Sequence, residues 1–365
     1  MAGRSGTQLE LSAHRFAARR LARALSRGEV TGDPAPGRTA LGLSWLVSAL
    51  VAAGAVVLAV VRPQSVLGDE PIVLDRASGA LYVRVADVLH PVYNLASARL
   101  IAGAADPLPV DGEAIRRARR GPPLGIPGAP GVLGAATPAA QTWSLCDDTA
   151  GTTLFVGPMP RQSAGVTAQE AVPVDSESGA RYLLVDGRRI AVDPADPVLA
   201  AAVSRRVSAL LLNAIPEAPD ASPVDPRRLR IAPATLCAHW RPEVPDVITL
   251  STGAFLSTGE TPTALAQADG PGPALDAVYL PPGHTPYVRA VDTAGHPVGS
   301  GYLIADTGVR YAVADDDAAR SLGLPGPAAG VPWPLLAGLP AGPRLSRDQA
   351  LRPRDLPSGE PPTGR

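Results

Sequence analysis

The stretch YVRVADVLHPV, residues 82–92, returns later in the chain as YVRAVDTAGHPV, residues 287–298. Both open on Tyr-Val-Arg, carry one aspartate and close on His-Pro-Val, with one residue inserted in the second copy. A further pair is YLLVDGRRIAVD, residues 182–193, and YLIADTGVRYAVAD, residues 302–315. Repetition of this kind marks supersecondary units that bury a face against their neighbours. Each unit reads as a strand, a turn (Asp186-Gly187 or Thr307-Gly308) and a second strand. A short helical segment follows each, at 94–100, 197–203 and 316–322. Asp315-Asp316-Asp317 suits the start of the last helix, where carboxylates accept from free N–H groups. Three contiguous aspartates lack the spacing of a calcium loop.

Between the units, residues 121–140 (GPPLGIPGAPGVLGAATPAA) are too rich in Gly and Pro for a regular element and read as an extended loop or crossover. Trp143-Ser-Leu-Cys146 then reads as a strand. So does the alternating Val247-Ile248-Thr249-Leu250, in a region that also holds Cys237. These are the only two cysteines. An even pair outside the reducing cytoplasm reads as a disulfide, with two buried thiols as the alternative. Joining Cys146 to Cys237 would create a central β unit flanked by the repeats. The fold class expected is α+β, with a mostly β domain over 63–345. A polar C-terminal tail, 346–365, is expected to be disordered.

Upstream, LGLSWLVSALVAAGAVVLAVV (residues 41–61) is apolar throughout, with Arg38 and Arg62 just beyond its ends and Trp45 near one of them. About 20 such residues in a helix cover the ~30 Å hydrocarbon core of a bilayer. The arginine-rich leader is too long for the n-region of a cleaved signal peptide, so the run reads as a signal anchor, with the membrane segment at 39–62. Arginines 4, 15, 19, 20, 23, 27 and 38 precede the run, whereas Arg62 is followed by Asp69, Glu70 and Asp75. Positive-inside then places residues 1–38 in the cytoplasm and the large domain outside. Within the leader, residues 12–27 (SAHRFAARRLARALSR) form an amphipathic helix with Ser12 as its cap and Gly28 as its stop. Phe16, Leu21 and Leu25 lie on its apolar face, with Arg19 and Arg20 beside them, as a candidate partner-binding surface. Lying on anionic lipid is the other reading.

The 365 residues carry a net charge of −1, so no bulk attraction to nucleic acid is implied. All basic residues are arginine, and without lysine a Walker A loop cannot form. There is no Gly-x-Ser-x-Gly, His-Glu-x-x-His or Cys-x-x-Cys either. The histidines are His14, His90, His239, His284 and His296. His90 and His296 precede proline at matching places in two repeats, which suggests a structural role, with metal or peptidoglycan contact as the alternative. No catalytic, metal or cofactor site is expected.

Several blocks together carry a family resemblance: SAHRFAARRL, SGALYVRVADVLHPVYNLASARLI, GPPLGIPGAP, WSLCDD, LLNAIPEAP, GYLIADTGVRYAV and VPWPLLAGLPAGPRLS. In this order, from about residue 7 to about residue 350, the chain resembles the EccB family, a core membrane component of the actinobacterial type VII (ESX) secretion system. The resemblance implies a short cytoplasmic helix, one transmembrane helix and a periplasmic, propeller-like set of repeats around a disulfide-stapled central domain. It also implies that the bridge falls on Cys146 and Cys237. Assembly with EccC (the motor ATPase), EccD and EccE into a hexameric channel complex is implied as well. The chain is shorter than other members, with compressed connections around 161–177 and 243–277. A membrane-tethered peptidoglycan-binding module is the alternative function. An ATP hydrolase, as members are sometimes labelled, is the remote one.

Overall fold

Gln8, Leu9, Glu10 and Leu11 are good helix formers, and the leader helix includes them. Helix α1 spans Ser5–Arg27, so Ser12 lies inside the helix instead of capping it; Gly28 falls outside the described residues. Residues 44–55 of the apolar run form α2. Among the described residues no helix is long and apolar enough to cross a membrane. The remainder of the run, with Arg38 and Arg62, lies outside them. The computed structural model describes residues 5–27, 44–55 and 67–354, except 137–140, 159–163, 194, 197–201, 219–224, 245–246, 254–260, 293–294 and 325. Met1–Ser65 and Val66–Arg365 are separate compact units.

In the second unit, one local pattern recurs three times. An apolar strand runs into an aspartate, the chain turns through a glycine of positive φ, and a strand containing a tyrosine answers it. The aspartates are Asp75, Asp175 and Asp292, and the glycines are Gly79, Gly179 and Gly295, at φ 72°, 85° and 83°. The first repeat contains β1 (Ile72–Asp75), β2 (Leu81–Val85), β3 (Val88–Val92), helix α3 (Leu95–Ala102), β4 (Leu108–Val110) and α4 (Gly112–Arg117). Strands β1 to β3 form an antiparallel meander, and β4 returns parallel to β1. Asn94 caps α3 by accepting from the Ser97 N–H.

The chain then lays down β5 (Ala135–Ala136), β6 (Thr142–Asp147), β7 (Thr152–Gly157) and β8 (Ala164–Gly165). The second repeat follows as β9 (Ala171–Asp175), β10 (Arg181–Val185), β11 (Arg188–Val192), β12 (Arg205–Arg206) and α5 (Ala209–Ala214). After it come β13 (Leu236–Trp240), β14 (Ile248–Thr252), β15 (Thr263–Ala264), β16 (Ala277–Tyr279) and β17 (His284–Thr285). The third repeat is β18 (Tyr287–Val291), β19 (Pro297–Ile304), β20 (Arg310–Val313), α6 (Asp316–Leu322), β21 (Ala329–Pro332) and α7 (Trp333–Ala337). The three four-stranded sheets have one order, β3-β2-β1-β4, β11-β10-β9-β12 and β20-β19-β18-β21.

This corrects the register read from the sequence. Tyr82 lies on the second strand of its repeat but Tyr287 on the first strand of its own, so the true counterparts of Tyr82 are Tyr182 and Tyr302. The turn glycines mark the register because only they readily adopt positive φ. His90 and His296 are therefore not equivalent. His90 is on β3 with Nδ1 2.9 Å from the Pro122 carbonyl, and His296 is in the turn closed by Asp292. The expected helix at 197–203 falls largely outside the described residues. Asp315 caps α6 as read, through the Ala318 N–H.

In every repeat the segment after the last helix covers the open edge of the third strand. Leu89, Arg189 and Arg310 each donate their N–H to the carbonyl of 119, 216 or 340 and accept at their carbonyl from the N–H of 121, 218 or 342, respectively. The Gly/Pro-rich 121–140 segment begins as this cover, which leaves the sheet edge no template for a stray strand. The tail boundary also moves. Ser346 caps α8 (Arg347–Ala350), Pro353 bridges to Leu124, and the Tyr93 hydroxyl donates to the Arg354 carbonyl, so residues 346–354 are structured and clasp the first repeat. Leu345 and Ala350 are buried there, and this apolar burial is the reason.

The connections between repeats form the seven-stranded central sheet, β15-β16-β7-β6-β13-β14-β8. Strands β6 and β13 are buried at every position. Trp143, Leu145, Leu236, Ala238 and Trp240 face a core shared with Val174 and Leu184 of the second repeat and Val288 and Ile304 of the third. On the other face Cys146 and Cys237, paired in register, form a disulfide across 91 residues of sequence. In the chain-entropy model such closure stabilises the fold by about 4 kcal/mol. Two residues beyond Cys237, on the same face, His239 lies between Ser144 (2.7 Å from Nδ1) and Ser251 (2.6 Å from Nε2). The third repeat turns its other face, with Leu303, Tyr311 and Val313, to a core shared with Ile72, Val83 and Leu100 of the first.

Two predictions follow from these contacts. Gly187, at φ 69° in the β10–β11 turn, would place a Cβ 1.8 Å from the Ile248 carbonyl oxygen of β14, whereas Gly179 has equally positive φ and open space around it. Gly187→Ala should therefore cost more than about 2 kcal/mol and Gly179→Ala about 1 kcal/mol. Denaturant unfolding that finds the two equal would contradict the docking of this turn on the central sheet. Second, burial, with Arg241 adding to it, pushes the His239 pKa down from 6.5 to about 4. The unfolded chain then binds the proton that the folded one refuses, so stability is full above pH 6.5 and falls as pH drops toward 4, by up to about 3 kcal/mol. The melting temperature of the native chain should fall between pH 6.5, where the unfolded imidazole takes up its proton, and 4.5, still above most carboxylates. His239→Gln should flatten that slope; an unchanged slope would show that another group sets it.

Candidate functional site

Among the described residues the chemistry-bearing side chains do not converge at an accessible site. Among the described residues no cluster of three or more His, Cys, Asp or Glu is placed to hold a metal ion. His239 and its two serines have the composition of a nucleophilic site, but all three are buried. His90 is tied to its own cover segment, and His284 and His296 lie near or in turns.

Buried and half-buried charges instead join elements. Asp147, immediately after Cys146, accepts from Arg205 Nη1 at 2.7 Å and from the Ser208 N–H at 2.8 Å, and Arg205 Nη2 donates to its carbonyl at 3.0 Å. The end of β6 is thus bonded to β12 and to the start of α5. Asp175 is bound by Arg181 at 2.8 Å and by the Ser204 hydroxyl. Burial pushes its carboxyl up, but the bonds from Arg181 and Ser204 outweigh burial and hold it below the usual range. Arg189 donates to the Leu212 carbonyl near the end of α5, and Arg310 to the Leu339 carbonyl beyond α7. Both guanidinium groups stand over tyrosines, Tyr182 at 5.9 Å and Tyr302 at 5.7 Å, and Arg310 also over Trp333 at 4.9 Å. Third-strand arginines thus serve as helix-end partners in two repeats. The first repeat has Leu89 in that place. Asp147, Arg205, Arg189 and Arg310 are not singled out by the sequence; a tyrosine followed by an arginine seven residues on in the second repeat (Tyr182, Arg189) and eight in the third (Tyr302, Arg310) is the signal available for the last two.

What remains accessible is surface. On α1, Phe16, Leu21 and Leu25 are exposed, with Arg19 and Arg20 exposed among them. Trp45 on α2 is exposed as well. Apolar side chains left open on a helix of its own can act by covering a partner or a lipid surface.

Comparison with known proteins agrees with an assembly role. The family described as "Type VII secretion system ESX-1, transport TM domain B" matches residues 4–228 and 221–358. The protein named ESX-3 secretion system ATPase EccB3 of Mycolicibacterium smegmatis is 32% identical over 484 aligned positions, covering 98% of this chain and 93% of that one. ESX-1 secretion system ATPase EccB1 of the same species is 28% identical, over 99% and 98% of the two chains. An alignment of 484 positions exceeds the 365 residues here, so that relative carries segments absent from this chain. The two stretches of the family match meet at 221–228, between the second repeat and β13. Among solved structures, a chain of an intact ESX-5 inner membrane complex is similar at a TM-score of 0.68 and 25% identity, over 100% of this chain and 98% of that one. The EccB3 dimer from the ESX-3 core complex shares the fold at a TM-score of 0.64, over 78% and 100%. The chain belongs to the EccB family of type VII secretion membrane-complex proteins.

Proposed function

We propose that this chain is a non-enzymatic scaffold subunit that builds the periplasmic part of its ESX membrane complex from a single membrane anchor. The observation that carries the reading is its likeness, along essentially the whole of both chains, to a subunit of an intact ESX-5 inner membrane complex. Residues 39–62 form the one membrane span, with the N-terminus cytoplasmic, as the apolar run and the arginine excess before it support. The repeats group around the central sheet in a propeller-like manner. EccC, EccD and EccE are its partners in a hexameric complex. The relatives carry the word ATPase in their names. The absence of lysine, and with it of any P-loop, speaks against nucleotide hydrolysis by this chain.

Two outcomes are expected. Purified full-length chain should release phosphate from ATP at the buffer rate; a nucleotide-dependent rate lost on mutation of this chain would overturn the scaffold reading. A strain expressing the chain without residues 1–30 should retain the protein in the membrane fraction, because the anchor is intact. Its high-mass complex should be lost, because Phe16, Leu21 and Leu25 supply a docking face. Recovery of the intact complex would assign α1 to the lipid surface.

A further inference from the structure

Four arginines stand within five residues at the end of the first repeat, Arg116-Arg117-Ala-Arg119-Arg120, and all four are exposed. Arg117 pairs with Glu113, and Arg116 lies beside Asp75. Arg119 and Arg120 have no ion-pair partner among the described residues. Their backbone is held: the Arg119 carbonyl accepts from the Leu89 N–H at 2.8 Å, and the Gly121 N–H donates to the Leu89 carbonyl at 2.9 Å. The two guanidinium groups are thus displayed from a fixed sheet edge, so little backbone order is lost when they bind.

The covalent chain limits where this edge can be. Ile115 belongs to a small core with Val73, Leu89 and Val110, and Leu67 packs on that same core. Arg84 Nη2 donates to the Gly68 carbonyl at 2.6 Å and Nε to the Glu70 carbonyl at 3.3 Å, pinning the strap that leads in. Leu67 is six residues beyond Val61, the last residue of the apolar run. Six residues span at most about 21 Å. The headgroup layer extends about 5–8 Å beyond the hydrocarbon. Asp69 and Glu70 stand exposed on the strap and weaken the field there.

Resting on the membrane-spanning reading above, we infer that Arg119 and Arg120 bind anionic phospholipid headgroups on the outer surface of the membrane, so that the first repeat rests on lipid. A guanidinium fork matches a phosphodiester in geometry as well as charge. The test uses the full chain in nanodiscs of phosphatidylcholine alone or with phosphatidylglycerol, with insertion checked first by flotation with vesicles. Amide exchange over residues 112–121 should slow in the anionic discs by at least about fivefold, the factor one basic contact supplies. It should recover on raising salt to about 0.5 M, where charges are screened within a few ångströms. Arg119→Gln with Arg120→Gln should abolish the difference, and the two lysine substitutions should keep it. Equal exchange in both discs, or a difference that survives the glutamine variant, overturns the inference. So does protection that appears only with the other complex subunits present, which would assign the patch to a protein partner. Failure of the chain to float with vesicles would overturn the membrane-spanning reading itself.

Discussion

The pairing of β6 with β13 is the constraint on which the rest of the Val66–Arg365 unit depends. These strands come from different connections, one after the first repeat and one after the second, and nothing local brings them together. Their register is held twice over, by the Cys146–Cys237 bond on one face and by Trp143 paired with Trp240 in the buried core on the other. Once they pair, the neighbouring strands have a template, and the central sheet extends through β7 and β16 on one side and β14 on the other. The entropy lost in closing two long connections is offset in one structure, because both connections end in the same sheet.

The repeats are unequal partners in this arrangement. The third is covered on both faces, by the central core and by the first repeat, and the C-terminal segment then crosses back to bond the first repeat at Leu124 and Tyr93. The second repeat joins the central sheet through Asp147 and Arg205 and through the close approach of Gly187 to β14. Small units with few aromatic residues would bury too little surface alone. Shared cores and charged joints between them give one body. For a scaffold subunit such a body offers fixed surfaces at set spacing, which is what assembly with other chains requires.

Much of this was legible in the residues. Hairpins, their Asp-Gly turn, the helix cap at Asp315, the strand through Cys146 and the existence of repeats all rest on local chemistry, which a sequence displays directly. The repeat register was misread because Tyr-Val-Arg fits any strand of this pattern, so the shared Tyr-Val-Arg, Asp and His-Pro-Val outweighed the positive-φ turn glycines Gly79 and Gly295. The fourth strand of each repeat was missed, since β12 is two residues long and is defined by its parallel partner. Ser12 looked like a cap because serine suits one, although the helix formers before it carry the helix past it. Asp147 and Arg205 are ordinary charged residues until the fold brings them within 2.7 Å. The surfaces on α1 were readable from helical spacing, whereas the arginine edge near residue 119 acquires meaning only from the backbone that holds it.

The claim that the stapled central sheet unifies the repeats is tested most directly by native-state hydrogen exchange on the Cys146→Ala, Cys237→Ala double variant. Loss of the staple should lower protection in β6 and β13 and, by a similar free energy of up to about 4 kcal/mol, in β9–β11 and β18–β20 as well. Exchange that rises only at residues 142–147 and 236–240, with the repeats as protected as before, would show that each repeat stands on its own and would contradict the account.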